Sequence, residues 1–147
     1  MNPPLGKKLR RKRADDRPLD ITPLIPEDRQ VIDSYGPGRF QIAGIAYTGP
    51  VLVFPNAVLD WDISDTADIF ASLSPTSLAA VAGANPAIEV LLLGTGTRTE
   101  FVRPSVKASI KQAIGLMPDA METGAACRTY NILLAEGRRV AAALLPV

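Results

Sequence analysis

Cys127 is the one thiol in this chain, and Arg128, Thr129, Tyr130 and Asn131 follow it directly. A helix start and a neighbouring guanidinium both stabilise a thiolate, so a redox or nucleophilic role is open to Cys127. No histidine exists among the 147 residues to act as its base, and no second cysteine to resolve it. The plainer reading is a small buried residue near a helix start. Arg128 and Asn131 are three apart and share one face of a helix. Earlier in the chain, Gly94-Thr95-Gly96 closes an apolar run. Glycines after a strand can aim backbone N–H groups at an anion. Together the two segments read as an anion-binding cleft at the carboxyl ends of parallel strands, or as a tight turn and a helix that ties loops down. The phosphate-loop and dinucleotide fingerprints are both incomplete, because no Gly-Lys-Ser/Thr follows and the next helix is expected about eight residues later.

Other chemistry is excluded by composition. Without histidine there is no Ser-His-Asp or Cys-His nucleophile and no imidazole metal site. One cysteine permits neither an intrachain disulfide nor a thiolate cluster. Asp60, Asp62, Asp65 and Asp68 lack the spacing and the glycine of a calcium loop and read as a solvated stretch. No metal and no cofactor are therefore expected.

The net charge of +1 conceals a segregation. Residues 7–17 carry Lys7, Lys8, Arg10, Arg11, Lys12, Arg13 and Arg17 against Asp15 and Asp16, and the rest of the chain is mildly acidic. This arm reads as a solvated, disordered tail over residues 1–18, with 19–147 as a single domain. Its cations, residues 7–13 above all, are also able to meet phosphate or anionic lipid. No aromatic side chain interleaves with them to stack on bases, so no nucleic-acid partner is expected. No apolar segment follows the arm as a secretory signal would require. The uncharged stretches Phe40–Leu59 and Ile69–Ile88 have the length of membrane spans but are broken by Gly49-Pro50, Pro55-Asn56, Pro75 and Asn85-Pro86. They read as buried parts of a cytoplasmic domain, which a lone thiol suits.

The elements that must position these residues change rhythm halfway. The first half is a β-meander. Val31–Tyr35 ends at Gly36-Pro37-Gly38, a hairpin signal, and Phe40–Ala43, Ile45–Tyr47, Val51–Phe54 and Ala57–Trp61 follow. Ser74-Pro75 opens a short helix over 75–83, while Asp65–Ser72 fits helix or strand. The second half reads β-α-β-α-β. It has an apolar strand at Ile88–Leu93, a helix over 104–114 between Pro104 and Gly115, an extended piece at Pro118–Met121, a helix over 124–136 with Thr123 as N-cap, and a strand over 139–145. Helical crossovers of this length favour parallel pairing. The expected architecture is a three-layer α/β domain with a central mixed sheet.

Val90–Gly96, Pro104, Gly115-Leu116, Met121-Glu122-Thr123, Ala125–Asn131 and Glu136–Val140 resemble a single family, with Ile45–Tyr47, Val51–Val53 and Trp61 fitting upstream. It is the domain-of-unknown-function family DUF498/DUF598, typified by a methanogen hypothetical protein. It includes the mitochondrial complex I assembly factor 3 and the adipogenesis-associated domain protein. The likeness spans about residues 25–146, the string Cys127–Asn131 with the Gly94–Gly96 turn being its most specific part. It implies a three-layer β and β/α fold, no established enzyme activity and no cofactor. Its mitochondrial members act in assembling the peripheral arm of NADH:ubiquinone oxidoreductase beside the inner membrane.

The expectation is thus a non-enzymatic interaction protein whose partners are respiratory-complex subunits, with peripheral membrane contact through residues 7–13. The candidate contact groups are Gly94, Thr95, Gly96, Cys127, Arg128, Thr129, Tyr130 and Asn131. Self-association as a homodimer stays open. The alternative is a small-anion module or cryptic thiol enzyme built from the same Gly94–Gly96 loop, Arg128 and Cys127.

Overall fold

A computed structural model describes residues 28–63 and 73–147. The basic arm and tail, and the ambiguous stretch Asp65–Ser72, lie outside the described residues.

Three antiparallel strands come first. β1 (Ile32–Gly36) pairs with β2 (Arg39–Ile42), and β2 with β3 (Ile45–Thr48). Ile42 faces Ile45 across the second turn, so Ala43 and Gly44 alone reverse the chain. Both have positive φ, 50° and 80°, the two-residue geometry that matches strand twist. Such a φ is uncommon for a residue with a Cβ. The Asp33 carboxylate holds the turn by accepting the Gly44 N–H at 2.8 Å.

The second sheet has five strands in the order β5-β4-β8-β6-β7. β4 (Val51–Phe54) and β5 (Ala57–Asp60) form a hairpin on one side. A 3₁₀ turn at Pro75–Leu78 runs into a one-turn helix, α1 (Ala79–Ala82), in place of the continuous helix expected over 75–83. The Ser74 hydroxyl caps it from the expected position. β6 (Val90–Gly94), α2 (Pro104–Ile114), β7 (Asp119–Met121), α3 (Thr123–Ala135) and β8 (Val140–Leu144) complete the chain. β6 pairs in parallel with both β7 and β8, while β8 also pairs antiparallel with β4, which makes the sheet mixed.

Strand side chains alternate between faces, and the central sheet separates two cores on that period. Leu52, Leu91, Leu93, Ala141 and Ala143 meet Val106 and Ile110 of α2, together with Leu78, Val81 and Trp61. Val51, Val53, Leu92, Ala142 and Leu144 meet Ala126, Cys127, Tyr130 and Leu134 of α3, together with Ile32, Phe40 and Ile42 of the small sheet. These are the three expected layers. β8 is buried along its whole length, and its alanines let both outer layers approach the middle of the sheet. No helix among the described residues is long and apolar enough to cross a membrane.

Candidate functional site

The Gly94–Gly96 turn lies where β6 leaves the sheet, and all three residues are buried. Its polar groups are already engaged. The Thr95 N–H donates to the Met121 carbonyl at 2.8 Å. The Thr95 hydroxyl donates to the Arg98 carbonyl at 2.6 Å and accepts the Glu100 N–H at 3.2 Å. The Gly96 N–H donates to Thr123 Oγ1 at 2.9 Å, and the Gly96 carbonyl accepts the Thr123 N–H at 2.9 Å. An anion would have to displace these bonds to be held by the turn.

Thr123 is the hub of the arrangement. It is fully buried, and its hydroxyl donates onward to the Leu145 carbonyl at 2.6 Å. Leu145 returns a bond from its N–H to the Gly94 carbonyl at 3.0 Å. Thr123 therefore joins the ends of β6 and β8 to the start of α3. Gly94 is required by the same closeness, because a Cβ there would lie 2.7 Å from Leu144 Cδ2 and 3.3 Å from Thr123 Cα. The expected N-cap role of Thr123 passes to Glu122, whose carboxylate accepts the Ala125 N–H at 3.0 Å. Helix ends leave such N–H groups without intrahelical partners.

Cys127 is buried against the central sheet and not at the helix mouth. Burial pushes its thiol up to about 12, overriding the opposite pull of Arg128. This is the reverse of the shift expected from its neighbours in sequence. A buried apolar site penalises a thiolate more than one exposed guanidinium stabilises it. Folded protein should accordingly resist thiol reagents at pH 8 and label only under denaturing conditions. Rapid labelling of the native chain would contradict this placement. Because the folded thiol titrates above the unfolded one, its contribution to stability is complete below pH ~8.5. That contribution is lost as pH rises toward 12, and Cys127→Ala should flatten the loss.

Tyr130 is fully buried, and its hydroxyl donates to the Phe54 carbonyl at 3.1 Å. Burial raises its phenol well above the ordinary range. Asn131 brackets one residue of β1. Its Nδ2 donates to the Ile32 carbonyl at 2.9 Å, and its Oδ1 accepts the Ile32 N–H at 3.0 Å. Asn131 mimics one more strand residue and fastens the small sheet to α3. Asn131→Asp loses the donor and sets a carboxylate oxygen against a carbonyl. A loss of about 2 kcal/mol is expected, with hydrogen exchange fastest in β1–β3. Uniform exchange across both sheets would argue against this local role.

Arg128 is exposed and pairs with Glu122 at 3.6 Å; Thr129 is half-buried. The polar contacts of Arg128 and Asn131 thus go to Glu122 and Ile32, and not to the glycine turn. The candidate residues are joined through the fold itself. Arg138 and Arg139, just past α3, reach back to Glu89, at 3.2 and 3.5 Å. The Arg139 N–H and both guanidinium groups hold the Glu89 carboxyl below its usual range. Among the described residues no group of acidic or cysteine side chains is arranged to hold a metal ion.

A family model for proteins of unknown function, DUF498/DUF598, matches residues 32–145. The chain is 41% identical over 116 residues to NADH dehydrogenase [ubiquinone] 1 alpha subcomplex assembly factor 3 of Danio rerio, a match covering 79% of this chain and 64% of that protein. The chain therefore spans less than two thirds of that relative. An uncharacterized protein of Rhodobacter capsulatus is 37% identical over 116 residues, covering 79% of this chain and 84% of the relative. The solution structure of a Bordetella pertussis protein described as a Mth938-like domain superposes with a TM-score of 0.66 at 31% identity, covering 95% of this chain and 92% of the other.

Proposed function

The chain belongs to the DUF498/DUF598 family of proteins of unknown function, and from that premise we propose that it works without catalysis, as a docking domain in the assembly of respiratory NADH:quinone oxidoreductase. The observation that carries this is the 41% identity to a protein named as an assembly factor of that enzyme. The geometry is in keeping with it. Thr95, Thr123, Tyr130 and Asn131 spend their polar atoms on tying strands and helices together, and the thiol is buried.

What the Cys127–Asn131 turn of α3 offers to a partner is its outer face. Arg128 and Ile132 lie one turn apart on α3, and Ile132 is 59% exposed. Arginine is among the residues that most often dominate interface energetics, and Ile132 beside Arg128 gives a partner apolar surface to cover. The basic arm over residues 7–13 adds steering toward an acidic partner or an anionic membrane surface.

The test is genetic and biochemical. In a bacterium holding both a family member and NADH:quinone oxidoreductase, deletion of the member should lower the assembled enzyme in membranes, and this chain should restore it. The tagged chain should capture subunits of the enzyme. Arg128→Glu with Ile132→Asp should weaken capture by about tenfold while leaving thermal unfolding nearly unchanged. Normal assembly in the deletion strain would refute the proposal.

A further inference from the structure

A second feature lies at the opposite end of the central sheet, where β6 and β8 begin and β4 turns into β5. A pocket of about 240 Å³ opens there, with Phe54, Leu59, Ile88 and Leu134 among its walls. Phe54 and Leu134 are buried and floor it, whereas Leu59 is 45% exposed at its edge. A cavity of about 150 Å³ lined by apolar groups holds benzene. This one has room for a body somewhat larger than a single ring.

Its polar walls have one sign in excess. Arg29, Arg138 and Arg139 all line the pocket, and Glu89, beside it, is the carboxylate that pairs with two of them. Arg138 Nε takes Glu89 Oε1 at 3.2 Å. Arg139 spends its Nε on the Ala87 carbonyl at 2.6 Å, but its Nη1 stands 3.5 Å from Glu89, beyond ordinary hydrogen-bond length. The outer edge of that guanidinium thus retains planar donors, and Arg29 brings a further set. Among the described residues, three guanidinium groups line the apolar floor and the Glu89 carboxylate pairs with two of them. A planar fork of this kind fits a carboxylate in two-point contact. Ligand pockets share this composition, with apolar walls and a few placed polar groups that fix orientation.

We propose that this pocket binds a small carboxylate with an apolar body about the size of an indole. The carboxylate sits against Arg139 and Arg29, and the body packs on Phe54, Ile88 and Leu134. The pocket takes buried Leu134 from the last turn of α3, whereas the docking face is the exposed side that carries Arg128 and Ile132, and a small-molecule titration and a subunit capture test the two separately.

The full chain, isotope-labelled, would be titrated with indole-3-propionate and, in parallel, with indole-3-propionamide. The acid should shift amide signals confined to Arg29 and residues 54–59, 80–89 and 134–139. The amide should bind about tenfold more weakly, as should the acid to Arg29→Gln and Arg139→Gln, since each change removes hydrogen bonding to a charged group. Ala84→Trp, which fills the pocket, should abolish the shifts. Thermal unfolding of each variant confirms that it is folded, and the acid–amide pair reads the unaltered protein. Absence of binding at millimolar acid, equal affinity for acid and amide, or shifts centred elsewhere would each overturn the proposal.

Discussion

Tyr130→Ala will lower the stability of the folded chain by about 3–5 kcal/mol, the loss typical of a large aromatic core truncation. For a chain of this length that is on the order of a 10 °C fall in Tm. The effect is large because Tyr130 has no exposed surface and stands between α3 and the five-stranded sheet, its ring packed in the same cluster as Val53, Leu92 and Phe40. Its hydroxyl also satisfies the Phe54 carbonyl at the end of β4. Tyr130→Phe separates the two contributions. It keeps the ring, leaves the buried carbonyl without that partner, and should cost about 1–2 kcal/mol. Paired melts of the two variants give the comparison. If both fall equally, the hydroxyl and not the ring is what α3 depends on, and the packing account fails.

Thr123→Val, which keeps shape and removes one oxygen, should cost about 2–4 kcal/mol. Two partners lose their bonds at once, the Gly96 N–H and the Leu145 carbonyl, and the site is sealed from water. Unmade buried hydrogen bonds carry the full desolvation penalty, which is why an isosteric change is expected to be so damaging. Thr123→Ser retains the hydroxyl and should recover most of the loss. Denaturant unfolding of the three proteins is sufficient. A valine variant within 1 kcal/mol of the parent would mean that Thr123 is not the hub described above. The same variant bears on function, because any role of the Gly94–Gly96 region in docking depends on Thr123 holding it in place.

Most of the framework could be read from the chain, and the reasons are local. Pro104 at the first helical position and Gly115 in the left-handed conformation, φ 82°, bound α2 at the residues expected of it. The apolar run before Gly94 is a strand buried on both faces, as such runs are in parallel sheets. The Ala43–Gly44 reversal has no such mark, since alanine carries no sign of a positive φ and the usual Asn-Gly or Asp-Gly pair is absent. The cap of α3 shifted from Thr123 to Glu122 for a reason invisible in any short window: the threonine hydroxyl is claimed by Leu145, 22 positions later.

The site was legible as a cluster of residues and not as an arrangement. Cys127 and Arg128 are neighbours in sequence, yet one faces the sheet and the other the solvent. Asn131 finds its partner 99 positions earlier. The pocket at the other end of the sheet left no sequence signal, because its walls come from four separated stretches that only the assembled sheet brings together.

The place of β8 between β4 and β6 has a kinetic consequence. The β4–β5 hairpin and the β6–β7 pair share no border until this strand inserts between them, so the sheet cannot close before β8 has been made. Folding should be slow for the domain's size, as it is where distant pairings dominate. Until that insertion, Leu92, Val53 and their neighbours stay open to chaperones or to misassociation.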